Sequence, residues 1–140
     1  TFTRLSRLMG QLKELSTVKD CTPLCSSVSG VDVPYLIVTS RASQSDYKLI
    51  SESEHEPEDL PLGKQKKVVV VTGRVHPGET NSSFMMEGFL KYITDPNNSE
   101  AEELRKRIVF KIVPCINPDG VICGNSRVSF SGSDLNRTYI

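Results

Sequence analysis

His76 and Glu79 stand three apart in the stretch Arg74-Val75-His76-Pro77-Gly78-Glu79-Thr80-Asn81-Ser82, directly after the apolar run at 68–71. An imidazole nitrogen and a carboxylate held in a Pro-Gly bend can turn toward one cation. They supply two of the three protein ligands that a hydrolytic zinc site of the His₂Glu type requires. Taken alone, His-x-x-Glu is a weak signal, because Pro-Gly is a common turn. Pro77-Gly78 also rules out a regular helix, so the pair is unlike the helical His-Glu-x-x-His of other zinc proteases. The sequence offers no convincing third ligand. The only other histidine, His55, lies among glutamates in a polar stretch and is assigned no role. Cys21, Cys25, Cys115 and Cys123 match neither a zinc-finger nor a thioredoxin spacing, and read as separate thiols of a reducing compartment.

These side chains need elements to position them. Phe2, Leu5, Leu8, Met9, Leu12 and Leu15 recur at helical spacing, which predicts an amphipathic helix over 2–16 with an ordinary core-facing side. Two strands are expected at 21–28 and 32–39 around a turn at Ser29-Gly30. The second is apolar on both faces at 35–38 and so internal, with Pro34 as its weak point. Residues 41–66 lose periodicity and carry five carboxylates between Ser51 and Asp59, the composition of a solvated loop or insertion. A strand at 67–72 then leads into the His76 loop. The helix after it is expected to pack Phe84, Met85, Gly88, Phe89, Tyr92 and Ile93 against the core and to stop at Asp95-Pro96. A short helix over about 99–107, acidic early and basic late, complements its own dipole. Residues 108–113 form another apolar strand.

Strand, helix and strand with both strands apolar throughout is the pattern of a parallel crossover. Ligands of open α/β sheets collect beyond the carboxyl ends of the strands. His76 and Glu79 follow one such end. Cys115-Ile116-Asn117-Pro118-Asp119-Gly120 follows the other, so both loops should meet on one rim. Asn117-Pro118-Asp119-Gly120 by itself reads as a good turn.

Bulk composition narrows the function. Lys plus Arg and Asp plus Glu both number 17, so no basic excess points to nucleic acid or to an anionic membrane surface. No apolar run approaches the roughly 20 residues of a membrane span. Asn81, Asn97 and Asn136 fit the N-glycosylation pattern, yet two of them lie in the candidate site, where a glycan would block access; a cytoplasmic location removes the conflict. The start, Thr1-Phe2-Thr3-Arg4, has neither an initiator Met nor a secretory apolar segment and reads as part of a longer chain.

The order of motifs is more specific than any one of them. His-Pro-Gly-Glu, then Asn-Pro-Asp-Gly, then the arginine of Gly124-Asn125-Ser126-Arg127, then Asp134-Leu135-Asn136-Arg137 resembles the zinc metallocarboxypeptidases. The longer strings RVHPGET, FKIVPCINPDGV and GSDLNR resemble the cytosolic carboxypeptidase branch, which shortens glutamate chains on tubulin and other proteins. Gly78, where pancreatic-type relatives carry a bulky residue, favours that branch. The likeness spans nearly the whole chain and is tightest over 66–137.

The resemblance implies an α/β fold with a mixed, largely parallel sheet flanked by helices. It also implies that His76 and Glu79 bind one Zn²⁺. Arg127 matches the arginine that stabilises the developing oxyanion. Asn136 and Arg137 match the pair that holds the substrate's terminal carboxylate, for which a planar guanidinium is suited. Asp134 matches a carboxylate that orients the His76 ring. The family's third zinc ligand, its glutamate general base and a tyrosine near the substrate's end lie farther along than Ile140. Residues 1–140 are therefore expected to be the N-terminal part of one catalytic domain, with exposed strand edges where further strands would pair.

The expected function is removal of C-terminal residues, glutamates in particular, from protein tails such as polyglutamylated tubulin. An inactive relative that only binds carboxylate-bearing tails also predicts His76, Glu79, Asn136 and Arg137, and a zinc hydrolase of small acylated amino acids shares the His-x-x-Glu start.

Overall fold

The structure is a computed structural model that describes residues 1–40 and 66–139. The acidic segment expected at about 41–66, His55 included, lies outside these except for Lys66.

Thr1 caps α1 (Phe2–Lys13) by accepting from the Arg4 N–H. The expected stripe faces inward, with Leu8 and Leu12 buried and Leu5, Met9 and Leu15 half-buried. The helix stops before Leu15, whose N–H bonds to the Leu12 carbonyl in a closing turn.

The segments expected as strands at 21–28 and 32–39 hold three strands, and a fourth, not expected, precedes them at 18–20. β1 (Val18–Asp20) and β4 (Leu36–Val38) pair antiparallel, while β2 (Pro23–Ser26) and β3 (Asp32–Pro34) form a separate hairpin around Ser29-Gly30. The break falls at Pro34-Tyr35, where proline has no N–H to continue a ladder. β4 is internal and fully buried, as its apolar run requires.

β5 (Lys67–Thr72) and β6 (Ile108–Val113) pair in parallel, Lys67 opposite Ile108 through Thr72 opposite Val113. The crossover between them is α2 (Thr80–Thr94) and α3 (Ser99–Arg107). The sheet order is β1-β4-β6-β5. The sheet is mixed, but among the described strands parallel pairing is confined to β5 and β6, a narrower share than expected. β1 pairs antiparallel with β4 and β4 antiparallel with β6, while the two-helix crossover returns β6 parallel to β5.

α2 turns a different stripe inward from the one expected. Met86, Leu90 and Ile93 are buried, whereas Phe84 and Met85 are 64% and 73% exposed and Tyr92 is exposed as well. The helix is apolar around most of its girth, so spacing alone left two stripes open, and packing on the sheet selected one. Phe89 still reaches the core and meets Phe110 edge-on at 5.8 Å.

Core residues from α1, α2, α3, β4 and β6 form one cluster that includes Leu8, Leu36, Leu90, Ile93 and Ile112. Each fully buried aliphatic side chain there contributes roughly 1.5–3 kcal/mol. In α3 the basic residues do more than answer the dipole: Arg105 is buried and donates through Nη1 to the Ile93 and Asp95 carbonyls at the end of α2. Val68, Val69 and Val70 of β5 are exposed, and no described strand pairs with its outer edge.

Leu90→Ala should cost about 2–5 kcal/mol, while Met85→Ala should stay within about 0.5 kcal/mol. Shifts in the chemical-denaturation midpoint check both, and equal costs would contradict the burial pattern.

Candidate active site

The parallel ladder does not end at Thr72. Gly73 N–H donates to the Val113 carbonyl at 3.0 Å, then Ile116 N–H to Gly73 at 2.9 Å and Asn117 N–H to Arg74 at 3.2 Å. The loops leaving β5 and β6 are thus stitched together before either reaches its chemistry-bearing residues.

Asn117-Pro118-Asp119-Gly120 is a helix start rather than the simple turn expected. Asn117 caps α4 (Pro118–Cys123), its Oδ1 accepting from the Gly120 N–H at 3.0 Å, and Gly124 closes the helix at φ 75°. An asparagine cap followed by proline at the first helical position is a start signal that could have been read from the residues. Asn117 also donates from Nδ2 to the Val75 carbonyl at 3.3 Å, which braces the neighbouring loop. Asp119 is buried and accepts from Ser27 Oγ at 2.6 Å, Ser29 N–H and Ser29 Oγ, tying the β2–β3 hairpin to α4. Burial pushes its pKa up, but those hydrogen bonds outweigh it and hold the carboxyl below its ordinary range.

The His76 loop is pressed against these supports. A methyl group on Gly78 would lie 2.6 Å from the Ser126 carbonyl oxygen, and one on Gly120 would lie 2.3 Å from Pro77 Cγ. Gly78 N–H donates to that same Ser126 carbonyl at 2.7 Å, so only glycine permits the approach.

Arg74, which was given no role from sequence, turns out to be a central residue of the loop. It lies at φ 55°, the only described non-glycine residue with positive φ. That region costs an ordinary L-residue roughly 1–2 kcal/mol. Its guanidinium is buried and donates to the Pro77 carbonyl through Nε at 3.1 Å and through Nη2, and to Ser83 Oγ through Nη1 at 2.7 Å.

The side chains of four of the six expected site residues, His76, Glu79, Asp134 and Arg127, form one chain of contacts. His76 Nδ1 lies 3.1 Å from Glu79 Oε1, and His76 Nε2 lies 3.1 Å from Asp134 Oδ1. The other Asp134 oxygen accepts from Arg127 Nε at 2.7 Å. Asp134 also caps the 3₁₀ turn Leu135–Arg137 by accepting from the Asn136 N–H. Burial raises the Asp134 pKa, but the Asn136 N–H, His76 and Arg127 outweigh it and hold the carboxyl low. Asn136 and Arg137 are exposed on that turn, and Arg137 Nη1 folds back to the Asn136 carbonyl at 2.9 Å.

The contacts of His76 bear on whether a metal fits. A neutral imidazole has one N–H. If Nε2–H donates to Asp134, the Nδ1 lone pair faces a carboxylate oxygen, an arrangement that a cation between them makes favourable. Two ligands at about 2.0–2.1 Å from a tetrahedral zinc sit roughly 3.3 Å apart, close to the observed separation. The Glu79 side chain is 57% exposed, which leaves one side of the pair open to solvent. Among the described residues, no group of three or more His, Cys, Asp or Glu side chains is arranged to hold a metal. The two ligands therefore fit zinc without completing its shell.

The thiols stand apart from this chemistry. All four are free, and burial pushes Cys115 up to about 11, too high for a thiolate nucleophile at neutral pH.

Residues 5–139 match the sequence profile of the zinc carboxypeptidases. The chain belongs to this family. Among its relatives in the family, cytosolic carboxypeptidase 2 of Xenopus tropicalis is 46% identical over 116 residues, covering 83% of this chain and 10% of that protein. Cytosolic carboxypeptidase 3 of Bos taurus is 59% identical over 76 residues, covering 54% of this chain and 8% of that protein. The zinc carboxypeptidase fold is shared with a metallo-carboxypeptidase from Burkholderia cenocepacia, at a TM-score of 0.78 and 27% identity over 96% of this chain and 31% of that one. The chain thus spans about a tenth of the length of the curated relatives it matches. No helix among the described residues is long and apolar enough to cross a membrane.

Asp119→Ala should destabilise the protein at neutral pH. Because the folded-state pKa is depressed, this contribution is present above the ordinary Asp value of about 3.9 and is lost as pH falls below it. Denaturation of both proteins between pH 7 and pH 3 should show the gap closing toward acid.

Proposed function

We propose that the protein is a zinc-dependent carboxypeptidase that removes C-terminal residues, glutamates in particular, from protein tails such as polyglutamylated tubulin in the cytoplasm. The observation that carries the reading is the His76 ring, one nitrogen facing Glu79 and the other held by Asp134. Family membership and the named cytosolic carboxypeptidases support it.

On this reading His76 and Glu79 hold Zn²⁺, which supplies Lewis-acid polarisation of the scissile carbonyl and a more acidic water. Asp134 fixes the ring's tautomer and orientation, as carboxylates beside metal-bound histidine do. The same carboxylate holds Arg127, so the cation meant for the developing oxyanion is placed in fixed relation to the ligand. A preorganised cation of this kind gains most where negative charge grows.

Asn136 and Arg137 take the substrate's terminal carboxylate. Among the described residues, Arg137 makes a local backbone bond through Nη1, and its planar fork is suited to a free C-terminus. The glutamate preference rests on the resemblance of the strings RVHPGET, FKIVPCINPDGV and GSDLNR to the cytosolic branch. Residues 1–140 form the N-terminal part of the catalytic domain. Alone they should bind zinc weakly and hydrolyse no peptide, because two ligands do not close a site.

In the full-length protein, His76→Ala should abolish release of glutamate from a C-terminal polyglutamate peptide while the far-UV circular dichroism stays unchanged; full activity would rule out the metal assignment. Arg137→Ala should raise KM for free-acid peptides by about 10–100-fold, the scale of losing a charge-assisted pair. It should also erase the preference over C-terminally amidated peptides, and an unaltered preference would remove Arg137 from the carboxylate site.

A further inference from the structure

Arg74 combines an unfavourable backbone with an unusually well-occupied side chain. The strand β5 runs toward the rim, and the chain must leave that direction to place His76 beside Asp134. It turns at Arg74 through the left-handed region, where glycine would meet no steric penalty. What arginine provides there is its guanidinium, 7% exposed, which spans from Pro77 to Ser83.

Both targets matter. Pro77 stands between the two candidate ligands, and its carbonyl accepts from two nitrogens of the same guanidinium. Ser83 lies in the first turn of α2, the helix that begins immediately after Glu79. The peptide joining His76 to Gly78 is therefore fixed from one side, and the helix that carries Glu79 at its start from the other. Glu79 needs such help, because its own side chain makes no capping hydrogen bond to α2. Asn117 Nδ2 holds Val75 and Ser126 holds Gly78, but neither reaches Pro77 or α2.

The geometry points to Arg74 as a positioning residue for the metal site: its guanidinium latches the Pro77 carbonyl to Ser83 and so sets the spacing of His76 Nδ1 and Glu79 Oε1 before any metal arrives. This rests on the metal reading above. Arg74 touches neither reacting atoms nor metal, and its effect passes through the loop alone.

Arg74→Gly separates the two contributions, since it relieves the backbone and deletes the latch. In the full-length protein, zinc affinity measured by competition with a chelator should fall roughly 10–100-fold, the scale for residues that support metal ligands. The melting midpoint of the metal-free protein should hold or rise. The visible absorption bands of the Co²⁺-loaded protein should also shift, reporting altered ligand geometry, which a purely structural loss would leave alone. Arg74→Lys, with one donor head in place of a fork, should show a smaller loss of affinity, and it carries the test by itself if the glycine variant does not fold. Unchanged affinity and unchanged Co²⁺ bands, or an affinity loss matched by a lower metal-free midpoint, would overturn the role of Arg74. Failure of the unsubstituted protein to bind zinc would instead overturn the metal reading on which the role depends.

Discussion

Parallel pairing of β5 with β6 is the constraint from which the site follows. It runs in unbroken register to Thr72 and Val113 and then continues as loop-to-loop hydrogen bonds through Gly73 and Arg74. Two segments separated by a two-helix crossover are thereby delivered to one rim at a fixed offset. Neither loop needs to be rigid by itself, because each is a wall of the other. The core serves the same end: Met86, Leu90 and Ile93 of α2 pack in one cluster with β4 and β6 residues of the sheet. Glu79 stands at the beginning of α2.

The electrostatic centre of the rim is Asp134. Its two oxygens divide between His76 and Arg127, and its cap of the following turn sets where Asn136 and Arg137 emerge. One carboxylate thus fixes the relative positions of His76, Arg127 and the turn that carries Asn136 and Arg137. A low pKa suits this work, since a protonated carboxyl could not accept from all of them.

Much of this was legible in the residues. The apolar runs at 67–72 and 108–113 gave the crossover and the shared rim, and the motif order gave the family. The misreadings have physical causes. α2 is apolar around most of its girth, so spacing could not choose between the stripe through Phe84 and Met85 and the one through Met86 and Leu90. A continuous apolar run at 35–38 concealed the change of sheet at Pro34-Tyr35. Asn117-Pro118 carried a helix-start signal that the following Asp-Gly disguised as a turn. Arg74 was invisible because neither a positive φ nor a buried guanidinium leaves a pattern in a single sequence.

Pro77 and Gly120 occupy each other's space. The ring of one fills the volume that any side chain on the other would need, across a gap of forty-three positions in the chain (120 minus 77). A side chain at 120 would also meet the Val128 carbonyl oxygen and Asn117 Nδ2, so bulk surrendered at 77 would not by itself make room for it. The second loop is thus moulded around the bend between His76 and Glu79, and crowding at 120 would be felt at 77.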